Sequence, residues 1–206
     1  QKLSIESITA GQTINNLELT YAVNNKENVF FHNLNFKYDG AYIEAKNFRL
    51  NPIQQEIHNF KATIKNLNLE KVLTLAVGPL ISAHGLLSGH LYLDIDNKVP
   101  TIESQLTSQG QGWIIYRKQG DQQQKAISLS DSPMDILSGY LYNYQYEELD
   151  LHIATDTAYD MKVNLIAFGK NPDYLKGKPL KLKVGLEQNL LRSEERRVGK
   201  ECRSRW

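Results

Sequence analysis

The sequence predicts an all-β, mainly antiparallel fold with two short helices. Three observations lead there. Apolar residues recur at every second position in segment after segment, the pattern of a strand with one buried face. Turn-forming residues punctuate those segments at short intervals. Helical periodicity is confined to two brief stretches, too few to cover both faces of a parallel sheet. The chain has 206 residues, 41% apolar and 23% charged, a globular composition long enough to bury a core.

In 16–23, Leu17, Leu19, Tyr21 and Val23 fall on one side. In 29–38, Phe30, Leu34, Phe36 and Tyr38 share a face, with His32 between them. In 86–96, Leu87, Leu91, Leu93 and Ile95 alternate with Ser88, His90, Tyr92 and Asp94. Leu149, Leu151 and Ile153 alternate with Asp150 and His152; Met161, Val163, Leu165 and Ala167 oppose Lys162 and Asn164. Leu180, Leu182, Val184 and Leu186 oppose Lys181, Lys183 and Glu187. Weaker strand patterns lie at 41–50, 56–65, 101–107, 112–118 and 125–129. Tyr38-Asp39-Gly40 reads as a tight hairpin. Further breaks are Asn51-Pro52, Asp96-Asn97, Gln119-Gly120-Asp121 and Asn171-Pro172-Asp173. Asn68 is placed to cap a helix over Leu69–Ala76, which ends at Gly78-Pro79. Ser132 is placed to cap Pro133–Tyr140, with proline in the first helical position. The apolar faces must meet a second sheet, close into a barrel, or line a curved sheet that holds an apolar ligand. The residues leave all three open.

Residues 192–206, RSEERRVGKECRSRW, break the alternation and resemble the in-frame translation of a short-read sequencing adapter. Without them, Lys plus Arg fall from 24 to 18 and Asp plus Glu from 23 to 20, and the net charge moves from +1 to −2. The remaining 1–191 form the expected domain and hold no cysteine, since Cys202 lies in the tail. That removes disulfides, thiolate nucleophiles and Cys-type zinc sites, and it suits an oxidising compartment. Neither charge balance favours nucleic acid. No stretch approaches a membrane-spanning helix. The start at Gln1 is that expected of a piece of something longer.

The sequence points to no catalytic residue, metal or cofactor. It contains no P-loop, dinucleotide fingerprint or zinc-protease helix. Gly85-Leu86-Leu87-Ser88-Gly89 has the wrong spacing for a nucleophile elbow and lies in a strand. His90, Asp94 and Asp96 point to one side of a strand, with His84 nearby, and read as a solvated face. Tyr140, Tyr142, Tyr144 and Tyr146 recur at every second position, as edge packing or as the rim of an apolar groove. The glycines of Gly110-Gln111-Gly112-Trp113 allow close backbone approach or a bulge.

Three blocks, in order, resemble the C-terminal region of the YdbH family of intermembrane phospholipid transport proteins. They are GPLISAHGLLSGHLYLDIDNKVPTIESQLTSQGQGWIIYR at 78–117, LSGYLYNYQYEELDLHI at 137–153 and GKNPDYLKGKPLKLKVGLEQNLL at 169–191. The second carries an Asn-Tyr-x-Tyr-x-x-Leu core; the third carries Gly-x-Asn-Pro-Asp, a spacer and Gly-x-Pro. The resemblance implies an elongated, curved AsmA-like β groove of a bacterial periplasmic bridge protein. It implies an N-terminal inner-membrane anchor, phospholipid as cargo and a small outer-membrane lipoprotein as partner. Some family labels say dicarboxylate transport instead. Groove-lining candidates are Leu17, Leu19, Leu34, Phe36, Leu91, Leu93, Leu151, Ile153, Val163 and Leu165. The other reading is an interaction module whose last strand, carrying Leu180, Leu182, Val184 and Leu186, accepts a partner strand.

Overall fold

The computed structural model describes residues 1–10, 12–24, 27–77, 81–116, 139–155 and 160–189. Twelve strands build one antiparallel sheet. They are β1 (Lys2–Ala10), β2 (Gln12–Asn24), β3 (Asn28–Tyr38), β4 (Ala41–Asn51), β5 (Glu56–Asn68), β6 (Ile81–His84), β7 (Leu86–Asp96), β8 (Val99–Ser108), β9 (Gly112–Tyr116), β10 (Tyr144–Thr155), β11 (Asp160–Lys170) and β12 (Pro179–Asn189). A nine-residue helix, α1 (Leu69–Val77), links β5 to β6. The sheet runs β1-β2-β3-β4-β5-β7-β8-β10-β11-β12, with β6 on β9 and β9 on β10 beside this path. β1 and β12 lie at opposite ends, so among the described residues this sheet is open and not a closed barrel.

Local chemistry explains the hairpin order. Asp39-Gly40 and Asn97-Lys98 form two-residue loops, each with both residues at positive φ, the backbone that matches the twist of the strands they join. Asn51 Oδ1 accepts from the Ile53 and Gln54 amides and closes the turn at Pro52. Asn68 Oδ1 accepts from the Glu70 amide and caps α1. The expected strand at 125–129, the Gln119-Gly120-Asp121 break and most of the Ser132-capped helix lie outside the described residues; 139–141 are helical. The alternation pattern missed β1 and the four-residue β6, and a short 3-10 turn at Leu175–Gly177 was not anticipated.

The long strands are broken by bulges, and these correct the reading of two segments. Pairing of β2 with β3 slips between Asn15 and Glu18 and again between Thr20 and Tyr21, opposite His32. The extra residue at each slip flips the face of the residues after it. Phe31 therefore points inward and pairs with Phe48, while Phe30 is 38% exposed. The expectation that Phe30 shares a face with Leu34, Phe36 and Tyr38 assumed unbroken alternation through His32. In β10 the slip between Tyr146 and Glu148 brings Tyr144 and Tyr146 into phase with Leu149 and Leu151. The four-tyrosine comb is also broken at its start. Tyr140 lies in the helical turn and Tyr142 is exposed; Tyr144 opens the strand.

Candidate functional site: one apolar face across the sheet

Register brings the apolar residues of separate strands into rows at right angles to the chain. One row runs Leu19, Leu34, Ala45, Ala62, Leu91, Ser104, Ile153, Val163, Leu186, each paired with the next. Beside it runs Phe36, Ile43, Ile64, Gly89, Leu106, Leu151, Leu165, Val184. On the other flank, Tyr21, Phe31 and Phe48 continue into Phe60 and Leu93. At about 4.8 Å per strand the first row is roughly 40 Å long. Its one polar member, Ser104, donates to the His90 carbonyl at 3.1 Å and so presents no free hydroxyl hydrogen. All ten groove candidates belong to this face; Leu17 enters it from β2, opposite Ile5.

The face differs between its two ends. On β2, β3 and β7, Leu17, Leu19, Leu34, Phe36, Leu91 and Leu93 are only half-buried. A small cluster of Ala45, Phe48 and Ala62 anchors this part, with Phe31 stacked on Phe48 at 4.6 Å and Phe60 edge-on at 5.0 Å. Towards β12 the face is filled. Leu151, Val163 and Leu165 are buried in one cluster with Ile64, Leu87, Leu106 and the α1 residues Leu69 and Leu73. Leu182 is buried there too, while Leu180 and Val184 are half-buried. These β12 side chains point into the sheet face, so a strand added at this edge would be held by backbone groups.

Two buried tyrosines fix the filled end. The Tyr144 hydroxyl lies 3.1 Å from the Ala167 carbonyl oxygen and 3.0 Å from that of Leu180; burial pushes its pKa up to about 12, opposed by a hydrogen bond to the Leu182 backbone. Tyr146 donates to the His84 carbonyl at 3.0 Å, and burial raises its pKa as well. A Cβ at Gly85 or Gly112 would overlap the Tyr146 hydroxyl, which explains the close approach expected at Gly112. The Gly-x-Asn-Pro-Asp motif is a tie between turns. Buried Asn171 donates to the Gly139 and Tyr140 carbonyls, its Oδ1 accepts from Asp173, and Tyr174 packs edge-on against Tyr140.

The outer face carries the residues considered for chemistry, and it employs them in structure. Ser88 Oγ accepts from the Asn66 amide and the Gln109 side chain. Asp94 accepts from the Asn59 amide and lies 3.5 Å from His58. His84 stacks on Trp113. Among the described residues, no three metal-ligating side chains come together.

Residues 1–192 match the family described as YdbH-like: Intermembrane phospholipid transport protein YdbH. The chain belongs to the YdbH-like family. Lipid transport is the role this family supports. No curated protein and no solved structure matches the chain. No helix among the described residues of this YdbH-like sheet is long and apolar enough to cross a membrane.

Proposed function

We propose that this chain is a section of a periplasm-spanning bridge along which phospholipids pass between the inner and outer membranes. The observation that carries it is the half-buried part of the apolar face, where Leu19, Leu34 and Leu91 lie in one row across the sheet with Phe36 and Leu93 beside it. A two-chain lipid has on the order of 30 methylenes, each costing ~0.8 kcal/mol to expose to water. Exposing them all on an unshielded crossing costs on the order of 20 kcal/mol, and a continuous apolar strip lowers that barrier without an energy source of its own. A dicarboxylate would need clustered Arg or Lys on the inward face; the rows there are apolar. Residues 1–191 act as one domain in this reading and 192–206 lie outside it, supported by a family match that ends at 192. An inner-membrane anchor elsewhere in the protein and an outer-membrane lipoprotein complete the bridge.

The test is Leu93→Glu in the full-length protein, read as phospholipid transfer between membranes with the thermal midpoint as folding control. Transfer should fall at least severalfold in a folded variant. Unchanged transfer would remove the conduit. The interaction-module reading has its own support. β12 pairs only with β11 among the described residues, leaving an edge to which a lipoprotein strand could add. Lys183→Pro on that edge should abolish capture of such a strand while leaving the sheet folded; capture retained would count against it.

A further inference from the structure

The open and filled ends of the apolar face are parts of one surface, joined at Ile43 and Leu91, which pack against both clusters. α1 enters at that junction. Its Leu69 amide donates to the Gly85 carbonyl, and Leu69 and Leu73 are buried with Ile64 and Leu87 of the same face. Val72 packs alongside. Lys71 reaches Asp39 in the β3–β4 hairpin at 3.7 Å, so the helix lies by the strand ends of the open part while its apolar side chains enter the filled part. Beyond the junction, Leu151 is 0% exposed and Val163 and Leu165 are 5% and 6% exposed. An acyl chain gains only by covering surface that water would otherwise reach. Side chains already covered offer it nothing.

We propose that phospholipid acyl chains contact this chain only along the strip of half-buried side chains Leu17, Leu19, Leu34, Phe36, Leu91 and Leu93, and that the end into which α1 packs is closed to them. This rests on the conduit reading above. The lipid path then leaves the sheet at the Ile43–Leu91 junction, and Leu151, Val163 and Leu165 are structural core although sequence alternation gives them the same standing as Leu34 or Leu93, while Ile153 is half-buried at the margin of that core.

Single cysteines distinguish the two ends. They are placed at Leu34, Leu91, Leu151 or Leu165 in the whole protein with Cys202 replaced by serine. Each is reacted with a small water-soluble maleimide, with and without vesicles of phosphatidylethanolamine and phosphatidylglycerol. Leu34→Cys and Leu91→Cys should label at least tenfold faster than Leu151→Cys and Leu165→Cys, and the vesicles should slow the first pair alone. Vesicle protection at Leu151→Cys or Leu165→Cys as large as at Leu91→Cys would overturn the closed end. Should the vesicles protect none of the four, the conduit reading itself fails. Where a buried variant loses its sharp thermal transition, Ala167→Cys takes its place, since it removes no core volume; the same slow, vesicle-independent labelling is expected there.

Discussion

Asn171 shows how much one side chain can hold. Its amide hydrogens serve the Gly139 and Tyr140 carbonyls and its oxygen takes the Asp173 amide, all at a site 1% exposed. Asn171→Ala leaves those groups without that partner and should cost about 1–3 kcal/mol, measured by urea denaturation with an unchanged slope. Tyr144 makes a prediction in pH. Its raised pKa means that the fold favours the neutral phenol, so the unfolded chain ionises first as pH climbs. The unfolded state then binds fewer protons than the native one, and stability should fall between about pH 10 and about pH 12. Tyr144→Phe should lose about 1 kcal/mol at neutral pH and show a shallower alkaline decline in its thermal midpoint, with Tyr146 supplying what remains. The motif residues of the third sequence block were legible as recurrent and structural. That Asn171 reaches back to residue 139 was not, because no spacing rule reports a contact 32 residues away.

At the level of single elements, asparagine has an unusual role. Asn16, Asn47, Asn59 and Asn66 sit inside strands at positive φ, a region that asparagine tolerates better than most residues. Two of these bulges leave a backbone amide that a neighbouring strand takes up, Asn59 by Asp94 and Asn66 by Ser88. Asn66→Ala should destabilise by about 1–2 kcal/mol through left-handed strain, and Asn66→Gly by less; chemical denaturation of the pair checks the order. Ser88→Ala should cost about 1 kcal/mol for its lost hydrogen bonds. β7 and β12 were readable from alternation because few slips interrupt them. β3 was misread at Phe30 because parity counts cannot see an inserted residue. His32, a polar residue where an apolar one was due, was the available signal.

Across the whole molecule, stability and lipid contact should lie at different ends. Leu165→Ala in the filled cluster should cost about 2–5 kcal/mol. Leu93→Ala on the half-buried strip should cost much less, since fewer of its atoms leave water on folding. Thermal midpoints of the two variants give the comparison. By itself the sequence determined that the chain is an antiparallel β protein, that each strand has one apolar side, and that two-residue loops join particular neighbours. These features come from period-two alternation and from turn residues, which act over a few positions. Only the tertiary structure decided that the apolar sides line up as one face, that bulges reset which residues join it, and that α1 packs into one end and leaves the other half-buried. Pairing partners and burial depend on residues far apart in the chain, and alternation within a strand carries no record of what lies across from it.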